Sequence, residues 1–230
     1  EVRGEVYMPK SGFEAMNAAA LALVARHCAP LRQPLAPAPW TVLVELSDSE
    51  GQAHAAARFE ALLAAALQAG TIDDAAVAQS VAQSRTMWQL RESIPLAQSA
   101  EGLNIKHDIG LPVSNIPAFC AATDAALTAR WPGVRLINFG HLGDGNLHYN
   151  VQAPPGTDAA AFLRDEEHAI NALVYDAVSA HGGSISAEHG IGVLKREQLA
   201  QRKDPTALAM MRAIKAALDP QGRLNPGRVL

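Results

Sequence analysis

Cysteine, aromatic residues and long apolar runs are all scarce in this sequence. Its two cysteines, Cys28 and Cys120, stand far apart and outside any paired motif. That argues against a disulfide framework and predicts free, buried thiols in a reducing, cytoplasmic compartment. Aromatics make up only 5% of the residues, so the core must rest on Leu, Ile and Val. No apolar run approaches the roughly 20 residues of a membrane span, and no secretory signal stretch is recognisable. A net charge of -4 leaves no basic face for nucleic acid or an anionic membrane. Alanine is plentiful and favours helix. At 230 residues, 49% hydrophobic, the chain can form one large domain or two small ones. It opens on Glu1 rather than methionine, and an upstream portion is expected.

Apolar spacing predicts helices over 12–27, 51–69, from about 84 to Pro95, 114–130 and 159–181, with a last one opened by Asp204-Pro205 and closed by Asp219-Pro220. Gly70 and Gly182-Gly183 are natural stops. Strands are predicted at 40–46, 75–78 and 103–109, and a short strand with a glycine-rich loop over 184–192. In 103–109, Leu103, Ile105, His107 and Ile109 share one face, so His107 reads as a core histidine. A β-hairpin over 134–148 favours α+β with an antiparallel sheet over a parallel, doubly wound one.

The hairpin is the most informative stretch. Asp144-Gly145 between two strand-like runs signals a two-residue turn. That turn places His141 opposite His148, on one face with Asn150. Two imidazoles so placed can converge on one ion. The stretch from Gly182 to Gly192 holds four glycines in eleven residues, with Glu188 and His189 inside it. Two histidines and a carboxylate form an open ligand set for Zn²⁺ or another divalent ion. Neighbours on an extended segment point apart, so Glu188 is assigned to the metal and His189 to proton transfer. Arg91, near a helix end, and Lys106, opposite an apolar strand face, are candidates for a carboxylate ligand.

These stretches resemble the C-terminal portion of the FAD-linked oxidase family related to vanillyl-alcohol oxidase, in the branch of D-lactate, glycolate and D-2-hydroxyglutarate dehydrogenases. The likeness covers nearly the whole chain. It rests on Arg91-Glu92-Ser93-Ile94, on Ile105-Lys106-His107-Asp108-Ile109 with Leu111-Pro112-Val113-Ser114, on the His141–His148 hairpin, on Glu188-His189-Gly190-Ile191-Gly192, and on Leu218-Asp219-Pro220 with Asn225-Pro226-Gly227. The resemblance implies an antiparallel sheet with helices packed mainly on one face and a C-terminal helical segment. It implies FAD bound mainly by an N-terminal domain outside residues 1–230, and a divalent metal, zinc first, on His141, His148 and Glu188. It further implies substrate binding by Arg91, Lys106 and Asn150, a base at His189, and Asn225 in the stretch returning to the flavin.

Where dicarboxylate members carry a hydroxyl residue, this chain has Pro95, which donates no hydrogen bond. The implied partners are a small 2-hydroxy acid and the flavin domain, and a homo-oligomer is compatible with both. Without that domain, Ile137 and Phe139 beside the site are expected to be more exposed than their type suggests or covered by a neighbouring chain, and the chain alone is expected to oxidise nothing. Two alternatives use the same residues: a metal-dependent hydrolase, and a non-catalytic subunit that keeps the fold.

Overall fold

Residues 12–230 are described by a computed structural model. Asn17 decides how the chain begins. Its side chain accepts from the backbone N–H of Ala20 at 2.9 Å, a helix N-cap. The helix expected over 12–27 therefore starts only at Ala18. Gly12–Asn17 is strand β1, followed by α1 (Ala18–His27). Helical and alternating patterns overlap in so short an apolar run, and the cap is the deciding signal.

The remaining strands are β2 (Trp40–Glu45), β3 (Asn104–Ile105), β4 (Asp108–Gly110), β5 (Arg135–His141) and β6 (Asn146–Gln152). The remaining helices are α2 (Gln52–Gln68), α3 (Val81–Glu92), α4 (Ile94–Glu101), α5 (Ile116–Arg130), α6 (Ala159–Ala180), α7 (Arg196–Arg202) and α8 (Pro205–Leu218). Pro95 does divide two helices, and Asp204 caps α8 through a bond from Ala207 N. The strand expected at 75–78 is absent, and the predicted 103–109 strand is broken between β3 and β4.

The strands form one antiparallel sheet in the order β2-β1-β5-β6-β3, with β4 also on β6, which is the α+β class expected. Strand alternation sorts the side chains. Ile105, Ile109, Leu147, Tyr149 and Val151 meet Phe119 and Leu127 of α5 and Ile170, Val174 and Val178 of α6, with Leu199 and Leu208 from α7 and α8. This is the larger helical layer. On the other face, Met16, Ile137 and Phe139 pack with Leu21 and Val24 of α1, Leu90 of α3 and Ile94 and Ala97 of α4. Ile137 and Phe139 are thus buried, against the expectation that they would be exposed or covered by a neighbouring chain. The helices α1, α3 and α4, all within this chain, cover them.

His107 is the core histidine that the alternation predicts. It is 1% exposed, and Nδ1 lies 2.7 Å from the Tyr149 carbonyl. Burial pushes its pKa down to about 4. An unfolded chain takes up that proton near pH 6.5, whereas the folded chain refuses it until about pH 4. Stability therefore falls as pH drops through this window, by about 1.4 kcal/mol per unit at most. Urea unfolding of wild type between pH 7 and pH 5 should show a loss of about 2 kcal/mol that His107→Leu largely removes. An unchanged slope in the variant would refute the assignment.

Candidate functional site

The site forms where β5, β6, β4 and β1 end together. The hairpin turn is longer than the two-residue form. Leu142–Asp144 make a 3₁₀ turn closed by Gly145 in the left-handed region, at φ 74°. Phe139, not His141, is therefore paired with His148. The register is displaced by two residues, and a displacement of two keeps every side chain on its face. His141 and His148 remain diagonal neighbours with ring centroids 6.1 Å apart.

Gly140 makes this approach possible. A Cβ there would lie 2.5 Å from the Asn146 carbonyl oxygen and 2.9 Å from the Leu147 Cα, both backbone atoms. Gly140→Ala should cost about 1–3 kcal/mol by overpacking and separate the two histidines. Thermal unfolding together with a metal titration would read both effects.

Glu188 closes the group. His141 Nε2 lies 3.6 Å from Glu188 Oε1, and His148 Nε2 lies 3.7 Å from Oε2. One donor atom from each of the three falls within 4.8 Å of the others. Burial holds the His148 pKa below its usual value, outweighing the opposing pull of the Asp108 carboxylate. A neutral imidazole is the form that ligates. These three could hold a divalent ion. A second set, Asp108, His148 and His189, is equally close. The rings of His148 and His189 are 5.9 Å apart, so His189 stands at the same mouth although it follows Glu188 directly.

Two buried carboxylates that the sequence reading did not single out hold the group together. Asp108, 2% exposed, accepts from the backbone N–H groups of Glu188 and His189 through Oδ2, both at 2.7 Å, and from the Asn146 amide through Oδ1. Burial alone raises its pKa, but these three donors outweigh it and hold the carboxyl below its usual value. Its face was legible, because it alternates with His107 and Ile109. Glu14, 4% exposed, lies across from His141 in the β1–β5 register. Its oxygens meet His141 Nδ1 at 2.6 Å and Arg91 Nε at 2.7 Å. Reading 12–27 as a helix concealed it.

Arg91 is buried. Its guanidinium carbon sits 4.9 Å from the centre of the Phe139 ring, and its terminal nitrogens have no hydrogen-bond partner among the described residues. Asn150 is buried too. It accepts from His107 N and donates to Gln98 Oε1, so most of its amide is already engaged. The pairings Asn104↔Gln152 and Asp108↔His148 place exposed Lys106 across from Asn150, on the face of the histidines. Asn225 lies in an exposed turn with φ 47°. Next to it, the tail is tied to the glycine-rich loop by Val229 N donating to the Gly192 carbonyl.

Comparison with known proteins identifies the family. Residues 5–229 match the family described as FAD linked oxidases, C-terminal domain. The mitochondrial D-2-hydroxyglutarate dehydrogenase of Arabidopsis thaliana is 36% identical over 222 residues, covering 96% of this chain and 38% of that protein. The D-2-hydroxyglutarate dehydrogenase of Xanthomonas citri pv. viticola is 38% identical over 193 residues, 83% of this chain and 40% of its own length. The mitochondrial enzyme of Rattus norvegicus is 36% identical over 228 residues, 99% of this chain and 41% of its own. The chain thus spans about two fifths of the length of the curated relatives it matches. No helix among the described residues is long and apolar enough to cross a membrane. On the match over nearly its entire length, the chain belongs to the FAD-linked oxidases and corresponds to their C-terminal domain.

Proposed function

We propose that residues 1–230 are the substrate- and metal-binding domain of a flavin-dependent dehydrogenase. The reaction would oxidise a D-2-hydroxy acid to the 2-oxo acid, with FAD held mainly by a domain outside this chain. The observation that carries the reading is the convergence of His141, His148 and Glu188, each histidine with a carboxylate behind its Nδ1. That donor set suits zinc and leaves positions for substrate. When bound, the ion supplies Lewis acidity toward the 2-hydroxyl, and the flavin ring supplies the acceptor for the hydrogen at C2.

The chain's own residues do the rest. His189, exposed at the mouth, takes the hydroxyl proton. Arg91 offers the terminal nitrogens of a guanidinium already anchored through Nε. Lys106 adds a point charge on the same face. Asn150 steadies that edge by holding His107 N and Gln98, and Asn225 approaches the flavin from the tail. The relatives' names favour a dicarboxylate such as D-2-hydroxyglutarate. Exposed Pro95, in the first turn of α4, cannot donate to a distal carboxylate, so that task falls to Arg91 and Lys106. The free thiols of Cys28 and Cys120 suit a reducing compartment.

The test uses the full-length, FAD-containing protein with D-2-hydroxyglutarate or D-lactate and a redox dye. Dye reduction should disappear on chelation and return with Zn²⁺. Activity that survives complete metal removal overturns the metal role. Failure of any D-2-hydroxy acid to reduce the flavin overturns the dehydrogenase reading, and metal-dependent hydrolysis would then favour the hydrolase. This chain alone, given FAD, should reduce no dye.

A further inference from the structure

We propose that Glu14 is a positioning residue whose two oxygens hold a metal-ligating imidazole and the substrate-binding guanidinium, so that one buried carboxylate couples the two binding events. The inference rests on the metal and substrate roles proposed above for His141 and Arg91.

An ionised carboxylate only accepts hydrogen bonds. The 2.6 Å contact from His141 Nδ1 to Glu14 Oε1 therefore places the imidazole proton on Nδ1. Nε2 is left with its lone pair, and Nε2 is the atom 3.6 Å from Glu188. His148 lacks such a constraint. Its Nδ1 lies 3.7 Å from Asp108 Oδ1, too far for a hydrogen bond. Glu14 Oε2 accepts from Arg91 Nε at 2.7 Å, which leaves the fork of terminal nitrogens for an anion.

The backbone gives Glu14 little freedom. Ala15 and Met16, its neighbours on β1, are buried, and the strand is paired on both edges, with β2 and β5. The Arg91 guanidinium rests over Phe139, which is itself paired with His148, the two ring centroids 4.9 Å apart and the planes tilted by 39°. One residue thus ties the orientation of a ligand to the orientation of the anion site. Carboxylates placed behind ligating histidines typically change metal affinity 10–100-fold (roughly) when removed.

Two measurements on the full-length protein test this. The first leaves Glu14 unchanged: nitrogen NMR of the metal-free, ¹⁵N-histidine-labelled protein at about pH 8.5, where an ordinary imidazole is neutral. His141, assigned by its loss in His141→Gln, should carry its proton on Nδ1, whereas a proton on Nε2 overturns the proposal. The second compares Zn²⁺ affinity by chelator competition, and KM for the hydroxy acid, in wild type and Glu14→Gln. Affinity should fall about 10–100-fold while KM rises. A folded Glu14→Gln protein with wild-type affinity and KM also overturns it. If wild type itself binds no Zn²⁺, the metal role proposed above fails, and the tautomer of His141 still decides what Glu14 does.

Discussion

Replacing His148 by alanine in the full-length protein is expected to weaken metal binding by more than about 100-fold, beyond the usual loss for an outer-shell change. Dye-linked oxidation should fall with it. His148 is common to both converging donor sets, and burial holds its pKa below the usual value. A water that fills the gap brings no lone pair fixed in direction, so the entropy of ordering the site is lost as well. Flavin content should stay at the wild-type level, because in the proposed function FAD is held mainly by a domain outside this chain. Metal analysis of the purified variant settles the matter: full occupancy at micromolar Zn²⁺ would remove His148 from the ligand set and with it the observation on which the proposed function stands.

The second large effect is expected at Asp108. Asp108→Asn keeps the size of the side chain but removes the charge that accepts from Glu188 N, His189 N and Asn146 Nδ2. Hydrogen bonds to a buried charge contribute about 1.5–3 kcal/mol each and are not additive, so a loss of about 3–5 kcal/mol is expected. The pH dependence has a definite sign. The folded carboxyl is held below its unfolded value of 3.8, so its contribution is complete above that value and disappears as pH falls through the lower folded pKa. Wild type and Asp108→Asn should therefore differ most near neutrality and converge in strong acid. Hydrogen exchange should show the amides of Glu188 and His189 opening faster in the variant. Equal protection of these amides would mean that other contacts hold the loop.

The same reasoning changes how Arg91 is best probed. Arg91→Ala would leave Glu14 buried beside His141 without its cation, and breaking a buried pair in this way typically costs about 3–5 kcal/mol. A raised KM in that variant would mix lost substrate binding with a disturbed ligand. Arg91→Lys keeps a charge while removing the planar fork, and so separates the two.

Much of the site was legible in the sequence because it depends on features that are local. Asp144-Gly145 announces a turn, strand alternation keeps His141, His148 and Asn150 on one face, and the density of glycine around Glu188-His189 marks a constrained loop. The face assignment survived an error in the turn itself, since the true register differs by two residues and the side-chain period is two. The same alternation correctly buried His107 and set Lys106 on the opposite face. Caps and breakers such as Asp204 and Pro95 also act through their immediate neighbours: α8 falls where expected, whereas α3 already ends at Glu92 and Pro95 lies in the first turn of α4, which was not expected.

What only the tertiary structure decided is which distant residues stand behind those on the surface of the site. Glu14 and His141 are far apart in sequence and meet because β1 enters the sheet beside β5. Asp108 reaches the Glu188-His189 backbone because Gly110 and Ser184 bridge there, in an antiparallel contact between segments with no local signal for each other. The burial of Phe139 and Ile137 likewise follows from α1, α3 and α4 folding over that face. Pairings of this kind are chosen by the shared core, in which Met16, Ile137 and Phe139 are buried together.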